Sequence, residues 1–385
     1  MDHSQLLSVF KSRFQSSPRI FRSPGRINII GEHTDYNDGF VLPAGVDREI
    51  VMVIGSNNSD QFNVYSLDEG EEVSFTLNDY TSVSNGWAQY IIGIIDQLKK
   101  AGHTVPGIDC VFGGDIPIGA GMSSSAALEC ATLYGLNELF GFDLDKQAIA
   151  LMSQKAENEY VGVNCGIMDQ FASVFSEEKK AIRLDCRDLS YELFDLDLKD
   201  YQLVLVDSMV KHSLASSEYN VRRAECEEGV ALLNGKYPNV TSLRDATITQ
   251  LESVKEGMKP KVYKRCNYMI NEISRVTKAT EAMNKHDLKE LGRLLYETHE
   301  GLQHEFEVSC EELDFLVNFT KNREEVLGAR MMGGGFGGCS INLIKTSMIE
   351  VFSAEIQNAY KKEFGKESSI YMVNSANGTS EIIQS

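Results

Sequence analysis

Residues 113–127, reading GGDIPIGAGMSSSAA, constrain this chain more than any other stretch. An apolar run before them, Ile108 to Phe112, predicts a strand. The Ala- and Leu-rich run after them, Ala126 to Phe140, predicts a helix. A strand that turns through glycines into a helix start is suited to an anion. The glycines let backbone wrap a bulky group, and the first helical N–H groups and the positive dipole end face it. An ordinary helix cap needs one serine. Four glycines and three serines exceed that need, and the hydroxyls add donors and a possible oxygen ligand for a metal. The loop is not a Walker A loop, because the GxxxxGK[ST] pattern and its lysine are absent, and it does not fit the dinucleotide fingerprint. It reads as a phosphate-binding loop.

The remaining organisation is that of an ordinary globular protein. The 385 residues suffice for two domains or one large one, and 42% hydrophobic with 24% charged residues excludes a wholly disordered or fibrous chain. The net charge of −19 makes nucleic-acid backbone and anionic membrane poor partners, and any anionic ligand needs local donors to overcome it. Eight cysteines without a CxxC or zinc-like spacing read as reduced thiols of a cytosolic protein. Met1 to Phe14 does not read as a signal peptide, and the longest apolar stretches, such as Ile91 to Ile95, are too short for a membrane span.

Short β-type runs (Ile27 to Ile30, Phe40 to Leu42, Ile50 to Ile54, Phe62 to Tyr65) mark a strand-rich start. Helical spacing covers Trp87 to Lys100 and about Lys146 to Tyr160, the latter capped by Asp143 or Asp145. After a strand at Tyr201 to Val206, helical patterns dominate from Ser213 to Phe319, broken at Tyr237-Pro238. Strands return at Ser340 to Ile344 and Ile370 to Val373. This places a domain change near residue 205, giving domains 1–205 and 206–385. With no linker and only 7 prolines, the halves are expected to pack directly, with a ligand site between them.

Two further segments carry polar chemistry. In Ser23 to Gly39 (SPGRINIIGEHTDYNDG), a strand leads into a loop holding Glu32, His33, Asp35 and Asn37. A solvated hairpin accounts for Asn37-Asp38-Gly39, but less well for Arg26 and Asn28, which alternate with aliphatic residues. The density of donors and acceptors suits a polyhydroxylated ligand. Gly333 to Gly338 (GGGFGG) contains G-x-G-x-x-G, yet Cys339 to Ile344 alternates like a strand, so no dinucleotide site follows. It reads as a packed glycine loop that lets another backbone or a ligand come close. Glu157 and Asp169 draw no attention by spacing: a lone carboxylate is most often a surface charge or cap.

Together these segments resemble the galactokinase family of the GHMP small-molecule kinase superfamily. Gly25 to Tyr36 matches the galactokinase signature, Gly119 to Ala127 the superfamily's phosphate loop, and Gly333 to Gly338 its third motif. Cys165 to Gln170 and Ser213 to Tyr219 also resemble family segments, so the likeness runs from residue 23 to about 344. The resemblance implies an α+β, two-domain GHMP-kinase fold. Its N-terminal half is a mixed sheet with helices and a left-handed βαβ unit; its C-terminal half is a ferredoxin-like layer of helices on a sheet. It implies ATP-dependent phosphorylation of D-galactose at the 1-hydroxyl, giving galactose 1-phosphate and ADP and committing galactose to catabolism. Asp169 matches the catalytic carboxylate and Arg26 the adjacent cation, which would keep Asp169 ionised and offset phosphoryl charge. Glu32, His33, Thr34, Asp35, Gly166, Asp169 and Tyr219 match sugar contacts. Gly119, Ala120, Gly121, Met122, Ser123, Ser124 and Ser125 match the ATP-phosphate cradle, with Ser66 a nucleotide contact. Ser125 and Glu157 match the ligands of a magnesium ion. The partners implied are galactose and ATP, in the cytoplasm, with no nucleic acid, membrane or obligate protein partner. The rivals are a kinase of N-acetylgalactosamine or arabinose and a non-catalytic galactose sensor. The intact Ser125-Ala126-Ala127, with Arg26 and Asp169, favours catalysis.

Overall fold

The computed structural model describes residues 3–210 and 215–383, without the side chains of residues 215–217. Ser213 and Leu214 of the Ser213-to-Tyr219 segment therefore lie outside the described residues. Helix α1 (His3–Arg13) precedes the strands β1 (Arg19–Asn28), β2 (Phe40–Val41), β3 (Pro43–Ser56), β4 (Gln61–Ser66) and β5 (Glu71–Thr76). Then come α2 (Ala88–Lys100), β6 (Ile108–Gly114), α3 (Ser124–Phe140), α4 (Lys146–Ala156) and α5 (Met168–Phe175). The strands β7 (Lys180–Asp185), β8 (Tyr191–Asp195) and β9 (Tyr201–Asp207) follow. The next helices are α6 (Ala215–Lys236), α7 (Ile248–Glu252), α8 (Pro260–Asn284), α9 (Leu288–Gly301) and α10 (Glu311–Thr320). The chain ends with β10 (Val326–Met331), β11 (Cys339–Lys345), α11 (Ile349–Phe364), β12 (Ser369–Met372) and β13 (Ser380–Ile382).

The strands form a six-stranded sheet in the order β13-β1-β3-β6-β4-β5, a four-stranded sheet β10-β11-β9-β12, and a three-stranded sheet β2-β7-β8. The six-stranded sheet is mixed: β4 runs parallel to β6 and its other pairs are antiparallel. Side-chain alternation divides its two faces. Phe21, Met52, Ile54 and Cys110 face the core shared with α2 to α5, while Ile20, Val51, Val53 and Val111 pack under Leu6 and Phe10 of α1. In the antiparallel four-stranded sheet, Val204 and Val206 of β9 face α10 and α11, while Leu203 and Leu205 join the main core. That main core runs unbroken from Phe21 and Met52 to Leu291, Leu294 and Ile341, so the halves pack directly. Among the described residues, no helix is long and apolar enough to cross a membrane.

Two differences from the sequence reading bear on the site. The helix expected from Lys146 to Tyr160 is regular only to Ala156. It then widens into one i→i+5 turn, closed by Gly162 N–H donating to the Glu157 carbonyl at 2.9 Å. Such single wide turns are found most often at functional sites. Asp145 supplies the cap, its side chain accepting from Ala148 N–H. The last strand, β13, returns across the molecule to the edge of β1.

Candidate active site

Arg26 leaves β1 just past a register shift in its pairing with β3 and turns toward α5, in whose first turn Asp169 sits. Arg26 Nε donates to Asp169 Oδ1 and Nη2 to Oδ2, each at 2.8 Å, a two-point pair. The third arm, Nη1, donates to the carbonyl of Gly121 in the phosphate loop. Burial alone lowers the Arg26 pKa, but Asp169 and Glu32 outweigh it and hold the guanidinium above its ordinary value. The pair lies at a cavity of about 230 Å³ lined also by Glu32, His33, Asp35, Glu157, Val163, Cys165, Gly166, Met168, Tyr219, Gly333 and Gly334. A wider groove, about 720 Å³, lies beside Ile27, Ala44, Leu203 and Val373. Its charges are of mixed sign and pair with one another, as Lys199 and His286 do with Asp197, so the smaller cavity, which gathers Arg26, Glu32, His33, Asp35, Asp169 and Tyr219, is the candidate site.

The loop after β1 delivers the polar groups. His33 has φ 66°, which turns the chain, and its Nδ1 lies 2.9 Å from the Tyr36 hydroxyl. Burial lowers the His33 pKa to about 4, so the ring is neutral at neutral pH. Burial, reinforced by Asp169, raises Asp35 to about 7. Gly166 makes room for that carboxylate: a methyl there would lie 1.9 Å from Asp35 Oδ2. The Tyr219 ring lies tilted beside His33, with centroids 5.2 Å apart and planes at 36°, and burial raises its phenol well above the ordinary value. Thr34 is not brought into the cavity lining: its hydroxyl serves the loop, 2.9 Å from the Gly31 carbonyl and 2.6 Å from that of Phe40. Asn28 is buried under the loop, accepting from Leu42 N–H. This accounts for its polar side chain in an apolar strand.

The phosphate loop closes the other side. Ser123 is left-handed at φ 55° and ψ 57°, α3 begins at Ser124, and Ser123 Oγ donates to Asp169 Oδ2. The loop is tied to β1 by Arg26 N–H donating to the Met122 carbonyl at 3.1 Å. The glycine loop 333–338 lies against it, since a methyl on Gly333 would stand 3.6 Å from Gly121 Cα. The third motif is thus a backbone-to-backbone contact, and β11 follows it as a strand. Ser66, at the end of β4, is buried beside Phe112 and stands outside the cavity lining.

Ser125 Oγ donates to Glu157 Oε1 at 3.3 Å. Burial and then Asp169 raise Glu157 to about 7. Glu129, wholly buried on α3, is raised well above its ordinary value by burial and by Glu157. Gln170 Nε2 donates to both, to Glu157 Oε2 at 2.7 Å and Glu129 Oε2 at 3.1 Å. Among the described residues no Lys or Arg pairs with either carboxylate. Two buried carboxylates with a hydroxyl beside them and no cationic side chain fit a hard divalent cation, which takes few protein ligands when it keeps water and phosphate oxygens.

Glu129, Gln170 and Arg330 escaped the sequence reading. Glu129 is a lone carboxylate in an Ala- and Leu-rich helix, and Arg330 a lone cation in the apolar run Ala329 to Met332. Charge inside an apolar element was the available signal.

Family models match three parts of the chain: the GHMP kinases N terminal domain over residues 89–177, the galactokinase galactose-binding signature over 8–56, and the GHMP kinases C terminal over 279–362. The galactokinase of Thermosipho africanus is 43% identical over 361 residues, 94% of this chain and 99% of that protein. The galactokinase of Roseiflexus is 35% identical over 384 residues, 100% of this chain and 98% of that protein. This chain belongs to the galactokinase family. As a galactokinase-family member it is an ATP-dependent sugar kinase with the α+β GHMP fold. The crystal structure of Lactococcus lactis galactokinase complexed with galactose covers 98% of this chain and 99% of its own, at TM-score 0.94 and 33% identity. A mevalonate kinase at TM-score 0.62 and 19% identity shares the fold alone. The galactokinase signature covers β1 and the polar loop after it, and the N-terminal GHMP model covers the phosphate loop and Asp169.

Proposed function

We propose that this chain transfers the γ-phosphoryl group of ATP to the 1-hydroxyl of D-galactose, giving galactose 1-phosphate and ADP. The observation that carries this reading is the Arg26–Asp169 pair, which ties β1 and α5 to the phosphate loop through Gly121 and Ser123, in the cavity that Glu32, His33 and Asp35 also line. The galactose bound by the Lactococcus lactis relative supports the choice of sugar. Glu32, Asp35, neutral His33 and Tyr219 offer acceptors and donors for sugar hydroxyls, within a cavity closed on the Asp35 side at Gly166. Thr34 contributes by shaping that loop.

In the proposed reaction the 1-oxygen attacks the γ-phosphorus while Asp169 takes its proton. The bond to the β,γ-bridging oxygen breaks, and ADP leaves. Arg26 holds Asp169 at two points and brings positive charge to the transferring group. Gly119, Ala120, Gly121, Met122, Ser123, Ser124 and Ser125, with the start of α3, offer N–H and hydroxyl donors to the phosphates. Ser66 stands at the nucleotide side. Ser125 and Glu157 would hold magnesium, which neutralises phosphate charge when bound. Eight free cysteines support a reducing, cytoplasmic setting. A coupled ADP-release assay over galactose, N-acetylgalactosamine and arabinose tests the reading. Turnover with galactose above the others is expected. Preference for another sugar overturns the substrate, and galactose binding without turnover overturns catalysis in favour of a sensor.

A further inference from the structure

We propose that Arg330, on β10 of the four-stranded sheet, is a positioning residue for the sugar site, acting through Glu32. The proposal rests on the reading of Glu32 as a sugar contact. Arg330 is wholly buried, and its guanidinium spans the junction between the two large sheets. Nε donates to the Ile29 carbonyl at 2.8 Å and Nη2 to that of Asn28, the last residue of β1. Nη1 donates to Glu32 Oε1 at 3.1 Å and to the Met331 carbonyl. The same Glu32 oxygen also accepts from Gly333 N–H at 2.8 Å. One carboxylate oxygen is therefore held at two points by the C-terminal half, which leaves Oε2 for the cavity that Glu32 lines.

A buried ion pair is weak evidence for stability, because desolvation offsets its attraction. What this pair supplies is geometry. The planar fork reaches three backbone carbonyls and a carboxylate together, which a lysine ammonium cannot reproduce on its single point of charge. The carboxylate angle, and with it the hydroxyl it can meet, is set by a residue 298 positions away in sequence.

The test compares Glu32→Gln, Arg330→Lys and the double variant by calorimetric titration of galactose and, separately, of ADP. Arg330→Lys is expected to weaken galactose binding by roughly 10- to 100-fold, the worth of a hydrogen bond to a charged group. ADP affinity without sugar should stay within about threefold, since the hydrogen bonds of Arg330 go to Asn28, Ile29, Glu32 and Met331 and not to the phosphate loop. If Arg330 acts through Glu32, the double variant loses little more than Glu32→Gln alone. Losses that multiply, or an Arg330→Lys variant that binds galactose like wild type while Glu32→Gln does not, overturn the proposal. A Glu32→Gln variant with unchanged galactose affinity instead overturns Glu32 as a sugar contact, and this proposal with it. Should Arg330→Lys fail to fold, hydrogen exchange on the wild-type chain decides. Galactose should slow exchange at Gly333 N–H, and absence of protection there counts against the coupling.

Discussion

Asp35 shows how one residue's burial becomes a measurable pH dependence. Burial and then Asp169 raise its carboxyl to about 7, against an ordinary value near 4. Between about pH 4 and 7 the folded chain keeps a proton that the unfolded chain has released. Folding stability from this group therefore falls as pH rises through that window. Asp35→Asn removes the loss, so its melting temperature minus that of wild type should grow more positive from pH 4 to pH 8. An ionised carboxylate can accept from two hydroxyls at once. Galactose affinity of the wild type should accordingly strengthen as pH passes about 7, and Asp35→Asn should lose that part of the rise, leaving only what Glu157 in the same cavity contributes; parallel titration curves would refute the role given to Asp35. For the Arg26–Asp169 pair, Asp169→Asn should cost about 10²- to 10⁴-fold in kcat, the usual worth of general-base assistance. Arg26→Lys keeps the charge but not the two-point geometry, so its loss should fall mainly on kcat. Measuring kcat beside equilibrium galactose affinity separates this from a collapse of the sugar loop, in which both would drop together.

Among the elements, β1 carries the largest share of the site: Arg26 within it, Glu32 to Asp35 just beyond it, and the carbonyls that Arg330 holds at its end. The wide turn after α4 has a comparable part, placing Glu157 opposite Ser125 at the start of α3. The contact of α9 with β10 is closer still. A methyl on Gly292 would lie 2.1 Å from the Leu327 carbonyl, and one on Gly328 would lie 2.4 Å from Gly292 Cα. Helix and strand meet backbone to backbone, and backbone cannot rotate aside. Gly292→Ala should destabilise the chain by about 1–3 kcal/mol, the range for overpacking. Urea unfolding would register it as a lower midpoint with an unchanged slope. A variant as stable as wild type would mean that α9 slides on β10 freely.

Across the whole molecule, the C-terminal segment fastens the two elements that bear Arg26 and Asp169. β13 pairs antiparallel with β1 through Ile20, Phe21 and Arg22. Thr379 reaches Ser23 of β1 at 2.8 Å and the Ser173 carbonyl of α5 at 2.9 Å, while Gly378 N–H donates to the Ser176 carbonyl at 2.7 Å. Removal of residues from 376 onward should lower the melting temperature by several degrees, since about 2–4 °C accompany each kcal/mol in a large domain. It should also lower kcat in the chain that remains folded, because the β1–α5 spacing sets the Arg26–Asp169 geometry. Calorimetry and steady-state kinetics on the truncated chain check both. Full activity at an unchanged melting temperature would show the segment to be a passive tail.

The phosphate loop and the polar loop after β1 were legible in the sequence because their chemistry is local. Consecutive glycines, a run of serines at a helix start and a dense set of donors around Glu32 to Asp35 act through neighbouring backbone, and neighbouring letters report them. The strands of β3, β6 and β9 were legible for a like reason, since alternation or a short apolar run follows from the pleat. Glu157, Asp169, Glu129, Gln170 and Arg330 were different. What distinguishes each is removal from water beside partners brought from far along the chain: Asp169 meets Arg26 across 143 positions. Periodicity records which face an element buries but not which charge will lie opposite another, and a carboxylate's pKa depends on the second. The resemblance to the galactokinase family pointed to Arg26, Asp169 and Glu157. Only tertiary packing placed Glu129 and Gln170 beside Glu157 within the N-terminal half and set Arg330, from the C-terminal half, behind Glu32, because packing alone fixes distance and desolvation.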